Sequence, residues 1–268
     1  MKLPIYQVDA FASQLFSGNP AAIVVAESAL EPTMMQAIAA ENNLSETAFI
    51  TPDGDHYHIR WFTPTVEVDL CGHATLAAAH VIFNHLEYGA ETVTFISQKS
   101  GVLTVRQDGS HLYLNFPVDT LKIVSPGDSN ITTLMDALGI SLLEVYQGRD
   151  DYLVIVEEER AIATILPNMD RLKTIPARGI IVSAPGTTAD FVSRFFAPQS
   201  GIPEDPVTGS AHTTLVPYWS EKLEKTTLVA QQLSQRGGSL ICQSLGDRVE
   251  IGGEAQTYLI GEIWLDRK

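Results

Sequence analysis

Three ionisable residues, Glu46, His73 and Asp205, are candidates for acid–base chemistry. Glu46 lies in a short strand-like run in which Ala48 and Ile50 share its face by two-residue alternation. A carboxylate among apolar neighbours is costly unless it is paired or hydrogen-bonded. Glu46 therefore either reaches water from an edge strand or serves a function that needs a desolvated acid. The run by itself leaves both interpretations open.

His73 and Asp205 are both close to predicted helix starts. His73 follows Gly72, where an apolar helical pattern begins, and a helix N-terminus disfavours the imidazolium. Asp205 precedes Pro206, which favours an extended backbone at the aspartate. Each residue also has an ordinary alternative role. For His73 it is a polar residue of the first helical turn, and for Asp205 it is an N-cap or turn residue. A semi-buried carboxylic acid with a raised pKa would suit a proton shuttle near neutral pH.

Two glycines, each followed by a helix-like segment, predict an anion site. Gly72 precedes His73 and Gly209 precedes Ser210. A helix N-terminus presents unpaired N–H groups and the positive end of the dipole, and glycine lets a ligand approach the backbone closely. Two such termini facing each other would bind a carboxylate without Lys or Arg, which neither adjoining loop contains. Ordinary tight turns before helices are the alternative.

An internal repeat relates these two places. The segment RWFTP at 60–64 recurs as RFFAP at 194–198, an offset of 134 in a chain of 268 residues. Each copy is followed by an acidic residue, then by a glycine three or four positions on and by small polar residues that open a helix. The shared order indicates a duplication, and it predicts that the two segments occupy equivalent strands of related halves.

Periodicity and turn residues predict many short strands and few helices. The predicted strands are 5–8, 22–25, 47–50, 57–62, 93–97, 101–107, 112–116, 152–156, 179–183, 227–230, 239–242, 249–251 and 261–265. The predicted helices are 32–42, 73–86, 129–139 and 210–223. Pro217 should kink the last helix or shorten its first part.

Composition limits the classes of function. The chain is 45% hydrophobic and 18% charged, so it can form a sizeable core. Its net charge of −15 disfavours binding to nucleic acid or to an anionic membrane. The only two cysteines, Cys71 and Cys242, suggest a reducing compartment. The N-terminus lacks a signal-peptide pattern and no apolar run could span a bilayer, so we expect a soluble cytoplasmic protein.

Other chemical motifs are weak. No GxGxxG follows a strand, and neither GxxxxGK[ST] nor GxSxG occurs. His56 and His58 would share a strand face, but no carboxylate or cysteine cluster completes a metal site with them, so we expect no metal. Cys71 could be a nucleophile, because a helix N-terminus lowers a thiol pKa.

Four motifs together resemble the phenazine-biosynthesis PhzF-like isomerases. They are GNPAAIV, NLSETAFI, FTPTVEVDLCGHATLA and EDPVTGSAH, and the resemblance runs from VDAF near the start to the terminal GGEAQTYLIGEIWL. More distantly, the pattern resembles diaminopimelate epimerase, which has the same type of fold.

The resemblance implies an α+β fold with two pseudo-symmetric halves. Each half would be a curved, barrel-like, mostly antiparallel sheet around a central buried helix, with an active-site cleft between the halves. The expected division is 1–118, completed by the terminal segment 259–268, and 119–258. The resemblance also implies isomerisation by proton transfer without a cofactor, acting on a small carboxylate-bearing substrate. A homodimer is the assembly we expect.

The resemblance further implies residue roles. Glu46 of SETAF matches the proton shuttle, and Asp205 and His73 match its catalytic partners. Contacts to the substrate carboxylate fall on Gly72, Gly209 and Ser210. Epimerases of the related fold have a cysteine before each glycine, but Thr208 precedes the second one here. Two-cysteine racemisation is therefore unavailable. Two alternatives stay open: an amino-acid epimerase that uses Glu46 with Cys71 or Asp205, and a non-catalytic binding protein.

Overall fold

The computed structural model describes residues 1–265, which separate into two compact units. The first comprises Met1–Asn115 and the chain from Gly252 onward, and the second comprises Phe116–Ile251. The predicted division into 1–118 with 259–268 and 119–258 stays a prediction about independent domains, and its residues 266–268 lie outside the described part of the chain.

Short strands dominate the structure. In chain order they are β1 (Lys2–Ala10), β2 (Asn19–Val25), β3 (Glu46–Asp53), β4 (His56–Phe62), β5 (Glu67–Val68), β6 (Thr92–Ser97), β7 (Gly101–Asp108), β8 (His111–Pro117), β9 (Lys122–Ile123), β10 (Glu144–Gln147), β11 (Asp151–Ile155), β12 (Gly179–Pro185), β13 (Phe191–Ala197), β14 (Ile202–Asp205), β15 (Thr227–Gln232), β16 (Gly238–Ser244), β17 (Arg248–Gly253) and β18 (Ala255–Trp264). The helices are α1 (Pro32–Asn42), α2 (Gly72–His85), α3 (Ser129–Leu138), α4 (Glu159–Ala163), α5 (Met169–Leu172) and α6 (Gly209–Leu223). The expected α+β class, with curved sheet and few helices, is confirmed.

Both units use the same sequence of strand pairings. In the first, β1–β2 is antiparallel, β2–β3 parallel, β3–β4 antiparallel, β4–β6 parallel and β6–β7 antiparallel. In the second, β10–β11, β11–β12, β12–β13, β13–β15 and β15–β16 repeat that alternation. The RWF and RFF segments fall in the equivalent strands β4 and β13. The predicted duplication is therefore confirmed at the level of topology.

The repeated unit also keeps one ion pair. Arg60 of β4 donates to both carboxylate oxygens of Glu67 at 2.7 and 2.8 Å. Arg194 of β13 donates to both oxygens of Glu204 at 2.6 and 2.9 Å. Each bidentate pair connects the long strand to the short strand that leads to the buried helix, and such planar pairing fixes geometry as well as charge.

Helix α2 is apolar on nearly every side because it is enclosed. Its buried residues with 0% exposure are Ala74, Leu76, Ala77, Ala78, Ala79, Val81 and Ile82, together with Thr75. Helix α1 packs Met35, Ile38 and Ala39 onto Val24 and Phe49 of the first unit's sheet. None of the helices within residues 1–265 combines the length and apolarity that crossing a bilayer requires.

Pro217 was predicted to kink the fourth helix or to shorten its first part, and the shortening is wrong. Helix α6 runs from Gly209 to Leu223 with Pro217 inside it. A proline removes the hydrogen bond to the carbonyl four residues earlier, which here belongs to Thr213. That carbonyl instead accepts from the backbone N–H of Asp119 at 3.1 Å. The Thr213 carbonyl therefore still accepts a hydrogen bond, and the helix continues past Pro217. Sequence reasoning also missed the short elements β5, β9, β10, β14, α4 and α5.

Candidate active site

Glu46 is the first residue of a central strand. Its strand β3 pairs with β2 on one side, where Ala21 opposes Glu46, and with β4 on the other. The edge-strand interpretation is therefore wrong. The Glu46 side chain is 12% exposed, while Ala48 and Ile50 on the same strand are fully buried. The carboxylate thus lies where the sheet passes from core to solvent.

His73 meets this carboxylate from the first turn of α2. Its Nε2 lies 3.3 Å from Oε2 of Glu46, and its side chain is 6% exposed. Burial lowers the pKa of His73 to about 3, so the imidazole is neutral at physiological pH. The contact is not aligned as a hydrogen bond, and within residues 1–265 Nε2 of His73 has no hydrogen-bond partner. An unsatisfied buried donor costs about 1–3 kcal/mol, which a ligand can relieve.

Asn19 fixes the tautomer of His73. Asn19 directly follows a tight turn that requires glycine. Gly18 in this turn has φ +68°, and a Cβ there would lie 2.2 Å from the carbonyl oxygen of Ala10. The amide Nδ2 of Asn19 lies 3.2 Å from Nδ1 of His73. An amide nitrogen only donates, so Nδ1 accepts and the neutral ring carries its proton on Nε2. That proton faces Glu46. Asn19 belongs to the GNPAAIV motif but was not singled out from the sequence.

Cys71 completes the cluster in the first unit. Its Sγ lies 3.5 Å from Nδ1 of His73. Glu46, Cys71 and His73 each place one potential ligand atom within 4.8 Å of the others. The carbonyl of Cys71 accepts from both the N–H and the hydroxyl of Thr75, at 3.1 and 2.6 Å. This arrangement holds the start of α2, and with it Gly72, in place.

The second unit contains the remaining predicted residues. Asp205 ends β14 and accepts from the hydroxyl of Thr208 at 2.5 Å. Buried Gln232 binds the same loop on three atoms: it donates to the carbonyl of Asp205 at 2.8 Å and to the Thr208 hydroxyl at 3.1 Å, and accepts from the Thr208 N–H at 2.8 Å. The loop before Gly209 and Ser210 is therefore rigidly held.

Arg178, which sequence reasoning missed, lies beside the start of α6. Its Nη2 donates to Oγ of Ser210 at 3.1 Å. The guanidinium also makes a bidentate pair with buried Asp151, through Nε at 2.9 Å and through Nη2. The expectation that no cationic side chain stands at the helix starts is thus wrong for α6. The guanidinium comes from a residue far from the loop in sequence, which no local pattern indicates.

The Arg178 guanidinium can still donate hydrogen bonds to a ligand. Its side chain is 41% exposed, whereas that of Asp151 is 4% exposed. Burial raises the pKa of the Asp151 carboxyl, and the Arg178 guanidinium opposes that shift. Within residues 1–265, Nη1 of Arg178 makes no hydrogen bond. The ring of Phe195 lies 5.7 Å from the guanidinium carbon, so the group is supported on one side.

The pair of Glu46 and His73 in the first unit has no counterpart at the equivalent positions of the second unit. Glu46 opens the parallel β2–β3 ladder and Gly179 opens the equivalent β11–β12 ladder. His73 is the second residue of α2 and Ser210 is the second residue of α6. The first unit therefore has a carboxyl–imidazole pair where the second has glycine and a hydroxyl.

A second cluster of ligand-type residues lies on the β3–β4 hairpin. The expectation that no carboxylate accompanies His56 and His58 is wrong. The hairpin register places Asp53 opposite His56, and Asp53, His56 and His58 offer ligand atoms within 4.8 Å of one another.

Comparison with known proteins agrees with the fold and the motifs. The family model described as "Phenazine biosynthesis-like protein" matches residues 8–261. A curated relative from Pseudomonas aeruginosa, named an uncharacterized isomerase, is 48% identical over 99% of this chain and 100% of its own. A crystal structure of a PhzF-family protein from Enterococcus faecalis has a TM-score of 0.93 and 47% identity, covering 99% of this chain and 100% of that one.

A more distant structure shows the fold alone. A hydroxyproline epimerase from Agrobacterium vitis, solved with bound trans-4-hydroxy-L-proline, has a TM-score of 0.60 at 8% identity, covering 99% of this chain and 93% of that one.

Proposed function

Because the chain belongs to the phenazine biosynthesis-like PhzC/PhzF family, whose close relatives carry isomerase names, we propose that it is a cofactor-independent isomerase. In this proposal it moves a proton on a small carboxylated metabolite. Glu46 is the proton shuttle and His73 is its neutral partner. The observation that carries the proposal is the contact of 3.3 Å between the Glu46 carboxyl and the buried imidazole.

The chemistry follows from the environments of the two groups. A carboxylate at the edge of the core can take a proton from a carbon beside an activating group and return it to another carbon of the same substrate. His73 stays neutral because it is buried, so its Nε2–H can donate to the carboxylate or to a substrate oxygen that gains negative charge. No permanent positive charge beside Glu46 then lowers the basicity that the shuttle needs.

The position of Cys71 argues for a single-base shuttle. Two bases that act on opposite faces of one carbon stand about 6 Å apart, since each approaches to about 3 Å. Cys71 and Glu46 offer atoms within 4.8 Å of each other. They therefore suit one face of a substrate better than two. This favours isomerisation over an epimerisation in which Glu46 and Cys71 are the two bases. An epimerisation that uses Glu46 with Asp205 is tested by the exchange experiment below.

The second unit supports binding of a carboxylate. Gly209 and Ser210 open α6, and Arg178 adds a guanidinium 3.1 Å from the Ser210 hydroxyl. A guanidinium, a hydroxyl and backbone N–H groups form a charge-assisted donor set for a substrate carboxylate. In this proposal Asp205 makes a polar contact with the substrate. Gly72 lets the substrate come close to the backbone at the start of α2.

Proton exchange with solvent tests the proposal without knowledge of the substrate. The protein would be incubated in D2O with a panel of L- and D-amino acids and of cyclic unsaturated carboxylic acids, and loss of C–H signals would be followed by NMR. We expect exchange or isomerisation of at least one unsaturated carboxylate by the wild type and none by Glu46→Gln. Exchange with inversion at one carbon would establish the epimerase instead. Binding without exchange would establish a binding protein.

A further inference from the structure

We propose that Asp53, His56 and His58 on the β3–β4 hairpin form a zinc-binding site, separate from the Glu46 cluster. The site rests on side-chain convergence at one oxygen. Oδ2 of Asp53 lies 3.1 Å from Nε2 of His58 and 3.3 Å from Nε2 of His56. Two imidazole nitrogens and a carboxylate are a ligand set that zinc favours.

The spacing matches zinc coordination. Tetrahedral zinc holds nitrogen and oxygen ligands about 2.0–2.2 Å away, which places neighbouring ligand atoms about 3.3–3.5 Å apart. The two separations from Asp53, 3.1 and 3.3 Å, are close to that range. The imidazole rings of His56 and His58 have centroids 5.6 Å apart and are inclined at 77°, so both nitrogens can aim at one point without stacking. Three protein ligands leave a fourth position for water.

A second carboxylate orients one ligand. Nδ1 of His56 lies 3.2 Å from Oδ1 of Asp55. The two nitrogens of His56 thus face two carboxylates, Asp53 and Asp55. A neutral imidazole donates from one nitrogen only, so the other needs a proton or a cation. With Nδ1–H donated to Asp55, Nε2 presents its lone pair for a metal, which is the carboxylate–histidine–zinc arrangement.

Backbone geometry prepares the site before any ion binds. Asp53 and His56 are the last paired residues of the hairpin, and Gly54 in the turn has φ +64°. His56 and His58 alternate onto one face of β4. The exposed fractions of the side chains are 61% for Asp53, 31% for His56 and 49% for His58, so an ion can enter from solvent. The net charge of −15 favours cation approach.

The chain provides its own control hairpin. Strands β7 and β8 pair Asp108 with His111 around Gly109, which has φ +61°. This turn has the same Asp–Gly–x–His order, but Ser110 replaces the second carboxylate and Tyr113 replaces the second histidine. It should not bind zinc, so His111→Ala is a matched control for His58→Ala.

Calorimetric titration of the full-length protein with zinc chloride, in a buffer that does not chelate, tests the site. We expect one zinc per chain for the wild type and for His111→Ala. His58→Ala and Asp53→Asn should each weaken binding by about 100-fold or more, and Asp55→Asn by about 10-fold, as for loss of an outer-shell partner. Zinc should also raise the melting temperature of the wild type but not of His58→Ala. Circular dichroism verifies that each exposed substitution leaves the fold intact.

The same experiment separates this site from the Glu46, Cys71 and His73 cluster. Cys71→Ser should bind zinc as the wild type does, and the cobalt-substituted protein should show no thiolate-to-metal charge-transfer band. Loss of binding in Cys71→Ser, or such a band, would place the ion at the other cluster and overturn the proposal. Unchanged zinc affinity in His58→Ala and Asp53→Asn, or no binding by the wild type, would overturn it as well.

Discussion

Glu46 and His73 face each other across 3.3 Å, one from the start of a central strand and the other from the start of the most enclosed helix of the first unit. The strand places the carboxyl at the limit of the core, and the helix start supplies a ring that burial keeps neutral. Because the ring is neutral, the contact is not a permanent ion pair.

Glu46→Gln should abolish proton exchange while leaving the fold intact. The substitution is nearly isosteric and removes only the titrating group, so we expect a rate loss of about 10²–10⁴ or more. The measurement is solvent deuterium incorporation into whichever carboxylate the wild type turns over. Glu41→Gln, an exposed residue of α1, is the control and should retain full activity. Undiminished exchange by Glu46→Gln would remove the shuttle assignment.

Asn19→Asp should raise the pKa of His73 and move the acidic limb of the pH–rate profile to higher pH. Asn19 donates to Nδ1 of His73, whereas a carboxylate there would accept and favour the imidazolium. Histidine titration by NMR and the rate profile measure the two effects. Asn84→Asp is the matched control, because Asn84 lies 3.3 Å from Nδ1 of His80, a histidine outside the site. A profile that stays unchanged in Asn19→Asp would show that Asn19 does not act through His73.

Removing the Arg178 guanidinium should weaken substrate binding more than turnover. Because Asp151 would be left buried without its partner, the variant is the double substitution Arg178→Gln with Asp151→Asn. Hydrogen bonds to charged groups contribute about 1.5–3 kcal/mol, so KM should rise about 10- to 150-fold with a smaller change in kcat. The control is Arg60→Gln with Glu67→Gln, which removes another bidentate pair. An equal rise of KM in both variants would indicate a general structural effect.

Stability should fall as pH falls from 6.5 toward 4. Burial lowers the pKa of His73 to about 3 and those of His80 and His212 to about 4. Below the unfolded-state pKa of about 6.5 the unfolded chain binds protons that the native state does not, which destabilises the native state. Each such histidine lowers the free energy of unfolding by up to about 1.4 kcal/mol per pH unit.

Urea unfolding at pH 7.5 and 5.5 measures this loss. His80→Gln can keep a hydrogen bond to Thr257, which His80 contacts at 2.8 Å, and should reduce the pH dependence by about one histidine's share. An equally steep pH dependence in His80→Gln would show that other groups cause it.

Sequence patterns singled out many residues of the candidate site because these residues are close to strong local signals. Glu46 is conspicuous by alternation with Ala48 and Ile50, and Gly72 and Gly209 mark helix starts after a repeated segment. Helices α1 and α2 match their predicted ranges to within a residue or two, since Pro32 and the long apolar run define them. These signals depend on neighbours in the chain, so they can be read without knowing the fold.

Tertiary structure decided what depends on residues distant in sequence. Arg178 reaches Ser210 across 32 positions and Asn19 reaches His73 across 54, and no local spacing indicates either contact. Pro217 stays within α6 because Asp119 satisfies the freed carbonyl of Thr213. Side-chain chemistry and local period were thus determined by the sequence itself. Strand order and register bring together atoms that are distant along the chain. They therefore decide which groups are buried, which are paired and which can still donate a hydrogen bond.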